Sequence, residues 1–234
     1  MTKSSERRKY LLLFALLLGP GLILIFLSKA DHAFVVLPYY GPKEPINSAT
    51  GADVPDTIYH TVPEFSFTNQ FGETTTMEDF EGDIMVVDFF FTTCPTICPI
   101  MTKQMSRLQW MLEDAAYDDV AFLSHTVNPK NDTPEVLLAY GEEAEADFDK
   151  WTFVTGDQEK IFKQGFEGYL LSTQEDSAAA GGFLHSSLFV LLDRDRHIRG
   201  FYDGTSSKEV DDLVTDIKML KKEETLNESE KVSS

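Results

Sequence analysis

The sequence predicts an α/β domain in which helices flank a central sheet of mixed parallel and antiparallel strands. Segments with strand and helix patterns alternate through the middle of the chain. Residues 84–91 form a nearly continuous run of β-branched and aromatic side chains, which is typical of a central strand buried on both faces. Two more strand patterns then follow one another directly before a final amphipathic helix. This order of elements indicates a mixed α/β sheet.

The elements can be assigned in chain order. Residues 65–69 and the turn at Gly72 predict a short hairpin. Thr76 predicts the start of a helical turn, because Asp79 stands three residues further on, as in a capping box. After the strand at 84–91, a helix is indicated by apolar residues at helical spacing, namely Ile100, Met101, Met105, Leu108 and Leu112. The remaining predicted elements are strands at 120–127, 151–154, 187–192 and 198–202, and helices at 134–145, 158–165 and around 210–220.

Composition limits what the protein can be. The chain has 234 residues, of which 42% are hydrophobic, and its formal net charge is −19. This balance is that of one globular domain with appendages, neither a disordered chain nor a protein with many membrane spans. Because the surplus negative charge would repel phosphates and no basic stripe interrupts it, we expect no nucleic-acid partner. Two cysteines are too few for a disulfide framework.

The amino terminus carries a membrane-insertion pattern. Residues 1–9 include four basic side chains and one acidic side chain, and residues 10–27 contain no charge. The uncharged run approaches the roughly 20 residues that span a bilayer, so it predicts an uncleaved transmembrane anchor. A cleaved signal peptide is the competing interpretation, although its apolar core would be about 7–15 residues long.

These features give a domain plan. Residues 1–9 would be a cytoplasmic terminus, 10–27 the anchor, 28–57 a linker rich in proline and glycine, 58–222 the folded domain and 223–234 a flexible tail. Since positive charge stays in the cytoplasm, the domain would lie on the outer, periplasmic side. The terminus lacks a long transit segment rich in arginine and serine, which favours a bacterial cytoplasmic membrane.

Both cysteines lie in one motif where the central strand should end and a helix should begin. Residues 91–99 read Phe-Thr-Thr-Cys-Pro-Thr-Ile-Cys-Pro, with the cysteines at Cys94 and Cys98. Ligands of α/β sheets bind beyond the carboxyl ends of strands, and a helix amino terminus favours thiolate over thiol. A separation of four residues places both sulfurs on one helical face, close enough for a disulfide or a shared metal ion. The pair is therefore predicted to be reactive, since a disulfide across so short a loop would stabilise the fold little.

The motif resembles that of a known family, the Sco (SenC-type) copper chaperones. The family's Phe-Thr-x-Cys-Pro-x-x-Cys-Pro pattern is met at 91–99, and the resemblance extends over most of the domain. Residues 65–72 and 76–82 are similar to the family's opening segments, and Asp132-Thr133-Pro134 is similar to its Asp-Thr-Pro helix start. The resemblance implies a thioredoxin-like fold on a single membrane anchor.

The resemblance also implies a metal site. Cys94 and Cys98 would supply two thiolates, and His185, in a segment similar to the one that carries the family's histidine ligand, would supply an imidazole to one copper ion. Soft sulfur selects Cu(I), and an added imidazole lets the same site hold Cu(II). Among the other histidines, His125 is a reserve ligand because it is near the end of a predicted strand. The methionines Met101 and Met105 are interpreted as core residues.

Three positions depart from the family pattern. Asn128 and Asn131 stand where the family usually has an acid and an arginine, and Thr96 stands where it often has aspartate. These differences leave the expectation of copper binding in place and bear mainly on the partner. Asp132 is interpreted as part of the cap of the following helix.

Two functions use the same cysteines. The first is copper delivery, and the resemblance implies the binuclear copper site of cytochrome c oxidase subunit II as recipient, with another copper-accepting protein as the alternative. The protein would then be a metallochaperone and not an enzyme. The second is a thiol–disulfide oxidoreductase that reduces the cysteines of that subunit or of another exported protein. Three residues separate the cysteines here, whereas thioredoxin-type enzymes normally have two. A peroxidase of thioredoxin-like fold is a weaker third interpretation, because a second cysteine and His185 accompany Cys94.

Overall fold

The computed structural model describes residues 36–45, 57–171 and 186–233. The chain divides into two compact units, Met1–Val36 and Leu37–Ser234, and the elements below belong to the second. The predicted anchor at 10–27 and the predicted ligand His185 lie outside the described residues. Among the helices that the structure describes, none is long and apolar enough to cross a bilayer.

Strands and helices alternate in the predicted order. The strands are β1 (Lys43–Pro45), β2 (Thr57–Tyr59), β3 (Ser66–Asn69), β4 (Thr74–Thr76), β5 (Ile84–Phe90), β6 (Val120–Thr126), β7 (Trp151–Thr155), β8 (Leu188–Leu192) and β9 (Ile198–Asp203). The α-helices are α1 (Cys98–Met111), α2 (Pro134–Glu143), α3 (Gln158–Lys163) and α4 (Ser207–Ser233). Short 3₁₀ turns lie at Met77–Phe80 and Ala115–Tyr117, and a π-helical turn at Gln164–Gly168 continues α3.

Seven strands form one mixed sheet in the order β4-β3-β7-β6-β5-β8-β9. The central strands β7, β6 and β5 are parallel, while β3 and β8 pair with them in antiparallel orientation. β4 and β9 add antiparallel strands at the two ends. The predicted mixed α/β architecture is therefore confirmed.

The central strand β5 is buried on both faces, as its continuous apolar pattern predicts. All seven of its residues are buried. Successive side chains of a strand point to opposite faces. Phe90 stacks on Tyr140 of α2, and Phe89 stacks on His125 in β6. Different helices thus cover the two faces, because Phe89 also contacts Tyr169, which follows α3.

Local sequence accounts for the smaller elements. Gly72 adopts a φ of +79°, a conformation that favours glycine, in the turn between β3 and β4. The backbone amide of Thr76 donates to the Asp79 carboxylate at 2.8 Å, so the predicted capping pair forms. In α1 the residues Met101 and Met105 are fully buried core residues, whereas Ile100 is 47% exposed and does not belong to the apolar face.

Part of the segment assigned to the linker contacts the domain. Residues 37–40, expected to lie in a linker, pack on the sheet through Arg199, whose side chain is only 2% exposed. Its guanidinium donates to the carbonyl oxygens of Leu37 at 2.8 Å and Pro38 at 3.3 Å. It also forms ion pairs with Asp193 and Glu223. These contacts join residues far apart in the sequence, so the local composition of the segment could not predict them.

The last helix extends into the residues assigned to the tail. Helix α4 continues to Ser233, past the predicted start of a flexible tail at residue 223. Glu223 contributes to the Arg199 cluster, and Glu224 forms an ion pair with Arg194 at 2.8 Å. Ion pairs with β9 and with the turn before it therefore hold the helix at residues 223 and 224.

Candidate metal and thiol site

The cysteines lie where β5 leads into α1. Residues 91–97, here called the cysteine loop, follow β5, and Cys98 is the first residue of α1. The backbone amide of Cys94 donates to the carbonyl oxygen of Phe91 at 3.1 Å, which closes a turn. Pro99 fits the first turn of α1, because an amide at that position would have no partner within the helix. The sequence prediction of a strand-to-helix corner at the cysteines is confirmed.

The thiol of Cys94 in the cysteine loop contacts the first residue of α1, Cys98. Cys94 and Cys98 are both free and buried, with exposures of 6% and 3%. The backbone amide of Cys98 donates to the sulfur of Cys94 at 3.5 Å. The hydroxyl of Thr96 lies 3.8 Å from the same sulfur. Cys94 is therefore the thiol that receives hydrogen bonds from the helix start.

The surroundings make the two thiols unequal. Burial opposes ionisation of Cys94, but hydrogen bonds from the thiol and amide of Cys98 and from Thr96 outweigh it and lower the pKa of Cys94. Burial raises the pKa of Cys98, and the hydrogen bond to Cys94 raises it further. Of the two thiols, Cys94 is therefore the more readily ionised and the better nucleophile, whereas Cys98 retains its proton.

A buried carboxyl lies near this pair. Asp88 of β5 accepts a hydrogen bond from Ser124 of β6, and the indole of Trp151 donates to Ser124 at 2.9 Å. Burial raises the pKa of Asp88 to about 7, despite the opposing effect of the Ser124 hydrogen bond. The Asp88 carboxylate contributes in turn to the raised pKa of Cys98. Sequence reasoning missed Asp88, although an acid within an otherwise apolar strand is a visible signal.

Asp88 should make the protein less stable as the pH rises. The pKa of this carboxyl is ordinarily 3.8 and is about 7 in the fold. Its contribution to the free energy of unfolding is therefore complete below pH 3.8 and is lost as the pH rises through 7. In the wild type the free energy of unfolding should fall by about 3 kcal/mol between pH 5 and pH 8 because of this group, and Asp88→Asn should remove that fall. Urea unfolding across that range measures the slope, with exposed Glu81→Gln as the control. An Asp88→Asn slope equal to the wild-type slope would contradict the assignment.

The reserve ligand His125 lies elsewhere. It is fully buried, stacks on Phe89 with ring centroids 4.8 Å apart, and contacts Phe65 and Phe67 edge-on. Its Nε2 lies 3.2 Å from the hydroxyl of Tyr169, and its Nδ1 has no hydrogen-bond partner. Burial lowers the pKa of His125 to about 3. Since its neighbour Ser124 bonds to Asp88 near the cysteines, strand alternation places His125 on the opposite face of the sheet.

The structure places two of the three predicted ligands together. Cys94 and Cys98 are adjacent, whereas the position of His185 is outside the described residues. Within the described part of the chain, no group of three histidine, cysteine or acidic side chains could hold a metal ion. Two neighbouring thiols where the cysteine loop meets α1, one with a lowered pKa, nonetheless fit a soft ion such as Cu(I).

Asp132 has a different role from the predicted one. Thr133, not Asp132, is the cap of α2. The Asp132 carboxylate instead accepts hydrogen bonds from Thr92 of the cysteine loop. No local pattern could have shown this contact, because the two residues are 40 positions apart.

Comparison with known proteins agrees with this geometry. The family model described as SCO1/SenC matches residues 55–222. The SCO1 protein homolog of Bacillus subtilis (strain 168) is 31% identical over 172 residues, which cover 72% of this chain and 86% of that protein.

Solved structures give the same result. BsSco, described as a member of the Sco family of cytochrome c oxidase assembly proteins with a disulfide switch, is 32% identical with a TM-score of 0.60, covering 68% of this chain and 92% of that one. A copper-bound ScoI from Bradyrhizobium japonicum has 23% identity and a TM-score of 0.54, covering 66% of this chain and 98% of that one, and it supports the fold. The matched region contains the fold and both cysteines, and the chain belongs to the SCO1/SenC family.

Proposed function

We propose that this protein is a copper chaperone that binds one copper ion through Cys94, Cys98 and His185 and transfers it to the binuclear copper site of cytochrome c oxidase subunit II. The observation that carries the proposal is the facing pair of free, unequal thiols at the start of α1. The soft thiol pair supports the choice of ion, and the description of BsSco as one of the cytochrome c oxidase assembly proteins supports the choice of recipient complex. In this proposal residues 10–27 anchor the chain in the bacterial cytoplasmic membrane, with the domain on the outer side.

The chemistry of capture follows from the two thiols. Copper is the cargo, and the sulfur of Cys94, whose pKa is lowered, is its more available ligand. Because a metal displaces protons from its ligands, binding at Cys98 releases the proton that burial otherwise retains there. His185 follows Cys98 by 185 − 98 = 87 residues, so a complete site requires the folded chain. A site with few ligands can release its ion by stepwise exchange with the thiolates and imidazoles of an acceptor.

A second function, thiol–disulfide exchange, is favoured by the same difference between the cysteines. The Cys94 thiolate would attack a disulfide of the acceptor and release one of its sulfurs as thiolate. The Cys98 sulfur, after losing its proton, would then attack Cys94 and release the second acceptor sulfur. The acceptor gains two electrons and becomes a dithiol, and this protein becomes a disulfide. The disulfide switch named for BsSco supports this alternative.

His185→Ala separates the two functions. We expect the variant to lose Cu(I) affinity by more than the 10–100-fold typical of removing a partner outside the metal's own ligands. Oxidation of the cysteine pair by glutathione disulfide should be nearly unchanged, because the imidazole takes no part in that exchange. Competition with a Cu(I) chelator under anaerobic conditions gives the affinity of the reduced protein.

His60→Ala serves as the control, since the His60 ring bonds to the carbonyl oxygen of Gly168 at 2.7 Å. Copper affinity retained in His185→Ala would show that the third ligand is a different residue. Absence of tight copper in the wild type would favour the oxidoreductase.

A further inference from the structure

The Asp132 carboxylate is a buried junction between three parts of the fold. Asp132 is fully buried. The carboxylate accepts hydrogen bonds from the hydroxyl of Thr126 at the end of β6 and from the side-chain amide of Asn131 at 2.8 Å. It also accepts from the backbone amide of Thr92 at 3.1 Å and from the Thr92 hydroxyl at 2.5 Å. Four donors therefore surround it, which is how a carboxylate is tolerated in the interior.

The two bonds to Thr92 fix the cysteine loop. A single carboxylate holds both the backbone and the side chain of Thr92, so the residue can neither rotate nor shift without losing a charge-assisted hydrogen bond. Thr92 is an inner residue of the turn that the Phe91 carbonyl and the Cys94 amide close. The position of Cys94 against the first turn of α1 thus depends on a residue before α2.

This contact is not needed to start α2. Thr133 is the helix cap, and Pro134 occupies the first turn. Among the ion pairs of the described residues, none includes Asp132, so no cation compensates its charge. Hydrogen bonds alone keep this carboxylate in the interior, and two of the four come from Thr92 of the cysteine loop and none from α2.

We propose that Asp132 is a positioning residue that holds Cys94 within reach of Cys98 by fixing Thr92. The consequence for copper rests on the proposed function, whereas the consequence for the cysteine pair itself does not. Without the hydrogen bonds from Thr92 to Asp132, the cysteine loop samples more conformations. The effective concentration of one thiol at the other then decreases. The disulfide should become easier to reduce, and the paired-thiolate site should bind copper less tightly.

The test measures the glutathione equilibrium of Cys94 and Cys98 without metal, together with Cu(I) affinity and thermal unfolding. We expect Asp132→Ala to lower the equilibrium constant for disulfide formation about tenfold, which corresponds to about 30 mV. Thr92→Val keeps the shape and the carboxylate but removes the hydroxyl donor, so it should shift the constant in the same direction by a smaller factor. Thr92→Ser restores the hydroxyl and should return the constant to the wild-type value.

Ser106→Ala is the matched control for stability. The Ser106 hydroxyl donates to the carbonyl oxygen of Ala144 at 2.9 Å, and so joins α1 to the end of α2 away from the cysteine loop. We expect it to lower the unfolding temperature while changing the disulfide constant by less than twofold. If Asp132→Ala does not fold, Thr92→Val carries the test.

Disulfide constants of Asp132→Ala and Thr92→Val within twofold of wild type would overturn the proposal, as would an equal shift in Ser106→Ala. If the constants shift as expected and the wild type binds no copper, the positioning role stands and the proposed chaperone function fails.

Discussion

Replacing either Cys94 or Cys98 with serine should abolish tight copper binding and reversible disulfide formation. A serine hydroxyl is neither a soft ligand nor ionised near neutral pH, so each variant keeps only one thiolate for a Cu(I) ion. The two sulfurs lie together where the cysteine loop meets α1, and no other cysteine exists in the chain to replace them. Chelator competition and mass analysis of the oxidised protein measure the two losses.

The two serine variants should nevertheless differ in one reaction. Cys98→Ser leaves the low-pKa thiol Cys94, and the serine hydroxyl can still donate to its sulfur. This variant should form a stable mixed disulfide with glutathione disulfide at pH 7. Cys94→Ser leaves a thiol whose pKa burial raises, so it should react much more slowly. Mass spectrometry measures the amount of mixed disulfide. Equal amounts in the two variants would show that the assignment of Cys94 as nucleophile is wrong.

Arg199→Ala should destabilise the domain by about 3–5 kcal/mol, the range found when one partner of a buried ion pair is removed. The guanidinium pairs with Asp193 and Glu223 and lies 4.1 Å from the centre of the Tyr39 ring. Its loss leaves two acids close together and two backbone carbonyls without a donor. Urea unfolding of the chain gives the change in the free energy of unfolding.

The neighbouring Arg196→Ala provides the control. Arg196 pairs with Glu64, and both side chains are more than a third exposed. Exposed ion pairs contribute about 0–1 kcal/mol, so this variant should unfold close to the wild-type urea concentration. A similar decrease in the free energy of unfolding in both variants would mean that burial does not determine how much Arg199 contributes to stability.

What the sequence predicted correctly depends on local patterns. The continuous apolar run of β5, the spacing of Met101, Met105 and Leu108 in α1, and the cysteines at a strand-to-helix corner are each encoded within a few neighbouring residues. Burial of such segments dominates folding, so their patterns are informative. The order of these elements was sufficient to predict the mixed sheet.

Contacts between distant residues could not be predicted in this way. Arg199 and Leu37 are 162 positions apart, and the Asp132 side chain meets Thr92 across 40 positions. The same holds for Asp88, whose neighbour Ser124 comes from the adjacent strand. Each involves a polar group inside the fold, where the partner, and not the residue itself, determines whether burial is tolerated.

The packing of residues 37–40 has a consequence for how copies of the protein meet one another. β9 is the last strand of the sheet, and the backbone amide of Tyr40 donates to its first carbonyl oxygen, that of Ile198, at 2.9 Å. An open strand edge is a template on which a second molecule can add its own strand. A fragment that begins after residue 57 would expose this edge to aggregation, whereas the longer chain covers the start of β9 with its own backbone. At the opposite end of the sheet, β4 is only three residues long and offers little to pair with.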